Sequence, residues 1–257
     1  PLDIRCLGPF KVFLGNREIP DKSWRSVNVR RLFQYLALKN QKGFIPKDVL
    51  LELLWPGEDP QKTNRRFHVT MTSLRKVLEP DLKRGEASGY LLRQSDAYRL
   101  NCGQNGRIDF IDFLEQCRHA QAAAHPADDD GLAFLLSIAA LYDGPVFQEE
   151  PYVDWFIEDR EWVQAQYLDL LFTIIRAYEE RENWEACISW ANSYLAIDRY
   201  AEPIYRVLMR CHFHLGDMAR SISTFERCEQ MITTDLDCPL NPRTTALYRN
   251  LIAMTQN

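Results

Sequence analysis

The apolar positions of this chain change period twice, and each change marks a new kind of element. Near the N-terminus they alternate. Ile4 and Cys6, then Phe10, Val12 and Leu14, stand between polar or small residues, with a Gly15-Asn16 turn before Glu18-Ile19. This predicts short strands over residues 1–20. From Val29 the spacing becomes helical, with Val29, Leu32, Phe33 and Leu36 on one face and a stop near Gly43. Pro46 suits the first turn of a second helix, whose inward residues read as Val49, Leu50, Leu53 and Leu54 and which Pro56-Gly57 ends. A third helix is predicted from about Thr63 to Glu79, with Phe67, Met71, Leu74 and Leu78 as its inner stripe. Alternation returns in Tyr90–Arg93 and Tyr98–Leu100, around a Gln94-Ser95-Asp96 turn, and predicts a β-hairpin. Strands, three helices and a terminal hairpin make an α+β winged helix-turn-helix over residues 1–101.

After a polar bridge, Asn101–Arg107, the pattern is helical to the C-terminus. Helices are predicted near 109–124, 129–143, 151–180, 184–197, 201–215, 218–233 and 243–255. Two stretches, ENWEACISWANSYLAID and GDMARSISTFERCEQMI, match at a spacing of 34 residues. The offset pairs Asn183 with Asp217, Trp184 with Met218, Ile188 with Ile222 and Tyr194 with Cys228, and puts small residues, Cys187 and Ser221, at the close-packing position. That period is the one of tetratricopeptide helix pairs. The expected second domain, 108–257, is an all-α tetratricopeptide-like repeat.

Charge changes the picture at the same border. Residues 1–100 hold 19 Lys and Arg against 11 Asp and Glu, a balance of +8, while the remainder stands at −13. A basic module fused to an acidic one points the first third towards a polyanion. In the third helix, inward placement of the stripe leaves Arg65, Arg66, His68, Val69, Thr72, Ser73 and Lys76 projecting elsewhere, as residues that can meet base edges and phosphates in a major groove. Arg93 and Arg99 suit a wing in the minor groove, where the potential is most negative; guarding an exposed strand edge is the alternative. Arg30 and Arg31 open the first helix and are expected to hold phosphate without reading sequence. Trp55 reads as a core anchor and Gly57-Glu58-Asp59-Pro60 as an acidic turn.

Other chemistry finds little support in the residues. Seven scattered cysteines without a CxxC read as reduced thiols of a cytoplasmic protein. Cys211 and His214 share a helix face, but no second pair has ligand spacing, so no metal is expected. Asp128-Asp129-Asp130 reads as a helix start, and Trp155, Trp162, Trp184 and Trp190 as fillers between helices. There is no Walker loop, GxGxxG, GxSxG or HExxH, hence no catalytic residue and no cofactor is expected. No apolar run is long enough to span a membrane, and PLDIRCLGPF does not read as a signal peptide.

The order LGPFKVFLGNREI, VRRLFQYLAL, KDVLLELLWPGEDP, RRFHVTMTSLRKVLEP and AYRL resembles the OmpR/PhoB-type DNA-binding domain, in the version of the SARP family of antibiotic-regulatory activators. IDFIDFLEQC, AALYDGPVF, DWFIEDREW and the two repeats ending in LYRNLIAM resemble the bacterial transcriptional activator domain that follows it in that family. The resemblance implies that Val69, Thr72 and Ser73 face bases, flanked by His68 and Lys76. It implies that the loop of Pro56, Gly57, Glu58, Asp59 and Pro60 touches RNA polymerase, and that the DNA target is a promoter with tandem sites. The expected function is sequence-specific transcriptional activation, with the acidic domain serving dimerisation, signal input or polymerase contact. Two rivals stay open: a repeat scaffold with a non-specific nucleic-acid domain, and the output end of a larger signalling protein.

Overall fold

A computed structural model describes residues 1–83, 85–122 and 128–255, without the side chains of Pro60 and Ala122. The chain forms two compact units. One is Pro1–Gln116 with Leu141–Gln164; the other is Cys117–Ala140 with the chain from Ala165 onward. These units are not the two stretches 1–101 and 108–257 marked out by the sequence pattern, because residues 141–164 of the acidic half pack within the first unit.

In the first unit, strands β1 (Leu2–Arg5), β2 (Lys11–Leu14) and β3 (Arg17–Glu18) form an antiparallel meander. A two-residue strand, β7 (Arg107–Ile108), adds to β1 in parallel, where the sequence had suggested only a polar bridge. The helices follow as α1 (Val27–Leu38), α2 (Lys47–Leu54) and α3 (Pro60–Leu78). Between them, β4 (Ile45–Pro46) joins β5 (Leu91–Gln94) and β6 (Ala97–Leu100) in a second sheet of order β4-β6-β5. Ser26 caps α1 by accepting from the Val29 amide at 3.4 Å. Val29, Leu32, Phe33 and Leu36 are all buried, as their spacing predicts. In α2 the expected face is partly wrong. Val49 is exposed and Leu53 half-buried, while Leu51 joins Leu50 and Leu54 inside.

Ring packing explains the place of residues 141–164. Phe10 packs on Trp24 at 5.8 Å, on Phe33 at 6.2 Å and edge-on to Phe147 at 5.3 Å, and Phe147 meets Phe156 at 4.8 Å. Such pairs each contribute about 0.5–1.5 kcal/mol beyond burial. The irregular chain that carries Phe147 is held by Arg160, whose guanidinium donates to the carbonyls of Val146, Phe147, Glu150 and Pro151. Gly8, at φ +86°, lets this segment approach: a Cβ there would lie 2.9 Å from the Asp143 carbonyl oxygen.

The second unit is helical. It contains α5 (Asp129–Ala139), α7 (Trp184–Ile197), α8 (Glu202–His214), α9 (Met218–Glu229), a π-helical turn (Gln230–Asp235) and α10 (Pro242–Thr255). Helices α4 (Asp109–Ala122) and α6 (Ile157–Glu180) belong in part to each unit. The expected end of α4 at 124 falls outside the described residues.

The 34-residue spacing recurs in the geometry. Asn183 caps α7 through the Ala186 amide, and Asp217 caps α9 through that of Arg220. The preceding residues, Glu182 and Gly216, both have positive φ. Buried Cys187 donates to the carbonyl of Ile175, and buried Ser221 to that of Met209, again 34 residues on. All seven cysteines are free thiols. No helix among the described residues is long and apolar enough to cross a membrane.

Asp109 starts α4 beside the end of β1. Its carboxylate accepts from the amides of Cys6 at 2.7 Å, Leu7 at 3.1 Å and Phe110 at 2.6 Å. Burial pushes its pKa up to about 6, against the opposing pull of those three donors. A carboxyl raised above its unfolded value adds stability that is complete below the unfolded pKa and lost as the pH rises through about 6. Lowering the pH from about 7.5 to about 4.5 should stabilise the wild type relative to Asp109→Asn, by about 2 kcal/mol. Denaturant midpoints of both proteins at both pH values test this, and a pH-independent difference would remove Asp109 as the titrating group.

Candidate nucleic-acid interface

Helix α3 is 19 residues long, begins with Pro60 after the Asp59 cap and carries two stripes. Phe67, Met71, Leu74 and Leu78 are all buried, as predicted. Arg65, His68, Val69, Thr72, Ser73 and Lys76 fall at i, i+3, i+4, i+7, i+8 and i+11, one face of the helix. Together with Arg25 they line an open groove of about 560 Å³. Val69 is 62% exposed there, an aliphatic side chain with nothing apolar over it. The Thr72 hydroxyl donates to the His68 carbonyl at 2.7 Å, which leaves its lone pairs for an incoming donor. Among the described residues no carboxylate pairs with Arg25, Arg65 or Lys76. The groove is therefore cationic and uncompensated.

The remaining basic candidates are not gathered there. Arg31 pairs with Glu150 at 2.9 Å and lies over Trp155; Arg30 lies over Phe10, among Asp21, Glu149 and Glu150 at 3.6–3.9 Å. Both arginines, expected to hold phosphate, are engaged in this structure by carboxylates of the 141–164 segment. The Glu150 side chain is 14% exposed and that of Arg31 33%, so the pair is partly shielded from water. Lys39 is engaged likewise by Asp159 at 2.6 Å. Arg66 turns away from the groove, pairing with Glu58 at 2.5 Å and stacking over Trp55 at 4.8 Å. Arg93 is folded back onto the hairpin turn, donating to the Ser95 carbonyl and to Asp96. Arg99 lines a separate hollow with Asn40, Cys102, Arg107 and Asp112.

The loop between α2 and α3 spans residues 55–59, shorter than expected because α3 starts early. Gly57 turns it at φ +70°, and Asp59 accepts from the Gln61 amide at 2.7 Å. Trp55 is buried, as an anchor should be. Asp48, Leu51, Glu52, Trp55, Glu58 and Thr63 surround an acidic hollow of about 180 Å³.

The family model described as the bacterial transcriptional activator domain matches residues 108–252. The chain belongs to that family. Its fold is similar to that of Mycobacterium tuberculosis EmbR, solved in complex with a low-affinity phosphopeptide. The TM-score is 0.77 at 18% identity, over 98% of this chain and 65% of that one. This chain thus spans a little under two thirds of the EmbR chain. No curated protein sequence gives a significant match. Among the described residues of this family member, no group of three His, Cys, Asp or Glu side chains is placed to hold a metal.

Sequence reasoning missed Arg25. It precedes the helical periodicity, and no motif marks it; what brings it to the groove is a local backbone turn. The contrast between neighbours on α3 is testable. Arg66→Ala removes a half-exposed ion pair and a ring contact and should lower stability by about 1 kcal/mol. Arg65→Ala removes a side chain without an ionic partner and should leave the melting temperature unchanged. Equal melting of the two variants would show that the Glu58–Arg66–Trp55 cluster contributes nothing.

Proposed function

We propose that the chain is a sequence-specific activator whose first unit is a winged helix that lays α3 in the major groove of duplex DNA. The observation that carries this is the second stripe of α3, cationic at both ends, bare of carboxylates and apolar at Val69. From residue 65 to 76 that stripe extends about 17 Å, enough to cross a major groove about 12 Å wide. Val69 would touch a thymine methyl. Thr72, its proton already committed to a carbonyl, would accept from the amino group of adenine or cytosine, and Ser73 would bond either way. Arg65, His68 and Lys76 would hold the flanks. Exposed pairs such as Arg93–Asp96 contribute only about 0–1 kcal/mol, so the hairpin could exchange Asp96 for a minor-groove phosphate. The 34-residue helical pairs, read as tetratricopeptide-like, would serve dimerisation on tandem promoter sites, signal input or polymerase contact.

With a duplex selected from a random pool by the full chain, affinity should fall with salt at a log–log slope of about −0.9 per phosphate contacted. Thr72→Ala and Ser73→Ala should change the preferred sequence, by about 1–3 kcal/mol per lost base contact. Lys76→Ala should weaken selected and scrambled duplexes alike. Uniform losses from all three substitutions would reject the division into reading and holding residues.

For the α2–α3 loop we propose contact of its acidic hollow with a basic surface of RNA polymerase. Glu52→Lys reverses charge there while Glu58, Arg66 and Trp55 all remain in place. It should lower transcription in vitro several-fold at equal promoter occupancy, and undiminished transcription would discard the loop as the contact.

A further inference from the structure

Arg25 stands where a side chain is expensive to place. The Ser26 amide donates to the Trp24 carbonyl at 2.6 Å, closing a three-residue turn around Arg25 at φ 60°, ψ −37°. This is the rare, strained hand of the γ-turn, which glycine enters far more readily than an L-residue. Both flanks hold it in place. Trp24 is 3% exposed and packs against Phe33 at 5.0 Å, and Ser26 is the cap of α1. The turn presents the Arg25 side chain at the groove lined by Arg65, His68, Val69, Thr72, Ser73 and Lys76. Its guanidinium has no carboxylate partner among the described residues, whereas Arg30 and Arg31, a few residues on, are engaged by Glu149 and Glu150. Backbone strain of this kind persists at sites of function when its surroundings over-determine it.

We propose that Arg25 is a DNA-contacting residue, held by this turn so that its guanidinium clamps a backbone phosphate beside the helix that enters the groove. The inference rests on the reading of α3 as the recognition helix. A phosphate, not a base edge, is the assigned partner, because Arg25 projects from outside α3 and a planar fork suits a phosphate's paired oxygens. Unlike Arg30 and Arg31, it would meet that phosphate without first leaving a carboxylate partner.

The test uses full-length protein with a duplex selected by the wild type and a scrambled duplex of the same length and composition. Arg25→Gly should relieve the turn and keep or raise the melting temperature. It should weaken both duplexes by about five- to tenfold near 0.1 M salt and reduce the log–log salt slope by about 0.9. Arg25→Lys, which keeps the charge, should recover most of that affinity. Wild-type affinity and slope in Arg25→Gly would overturn the proposal, as would a loss confined to the selected duplex, which would make Arg25 a base reader. Failure of the recognition-helix reading looks different: Thr72→Ala and Ser73→Ala would then leave sequence preference unchanged, whatever Arg25→Gly does.

Discussion

Helix α3 has to satisfy two environments at once, and its core stripe decides how. Burying Phe67, Met71, Leu74 and Leu78 contributes about 1.5–3 kcal/mol for each side chain, so the four together fix the rotation of the helix. Leaving Val69 in water costs at most one such increment. A rotation by one residue would bury Arg66 or His68 and expose Phe67, which no local preference could offset. The face that includes Thr72 and Ser73 is thus bare because the opposite face is full. Everything inferred about nucleic-acid contact depends on this division.

Charge is sorted on the same principle. The +8 balance of residues 1–100 overstates the free positive charge. Glu149, Glu150 and Asp159 engage Arg30, Arg31 and Lys39, Glu58 holds Arg66, and Asp96 holds Arg93. Arg25, Arg65 and Lys76 keep their charge uncompensated along one groove. Pairing cations elsewhere while leaving these bare concentrates the positive potential where a polyanion would dock. The acidic residues that do much of this pairing come from the second half of the sequence, so the border in charge is no border in packing.

The parts legible in the sequence are those whose partners are local. Over the 19 residues of α3 the helical period has room to single out one face, and all four expected stripe residues are buried. Over the eight residues of α2, nearly all apolar at Val49–Leu54, the period cannot choose a face, and Val49 was exchanged for Leu51. Strand β7 has two residues and exists because β1 offers a free edge, which no periodicity announces. The 141–164 segment has Gly144, Pro145 and Pro151 in place of a pattern, and its partners Phe10, Arg30 and Arg31 lie more than a hundred residues away. An arginine in sequence shows a charge but not its counterion. The pairing of Arg30 and Arg31 with Glu149 and Glu150, and the turn that brings Arg25 to the groove, therefore had no local signal.

The helical repeat shows the opposite case. Its units repeat at 34 residues in the pairs Glu182 with Gly216, Asn183 with Asp217 and Cys187 with Ser221, covering the positive-φ turn, the cap and the close-packing site. The turns and caps are local and the Cys187 and Ser221 hydrogen bonds join neighbouring helices, so the information needed to form each lies within one period of the sequence. Cys187 and Ser221 differ in chemistry, but each is small and donates to the carbonyl twelve residues before it. Glu182 and Gly216 differ more, yet both take the left-handed turn. What recurs is therefore size and backbone geometry more than residue identity. A period can be read from the sequence when each unit meets the next in the same way, whereas the long-range packing of residues 141–164 had to be seen.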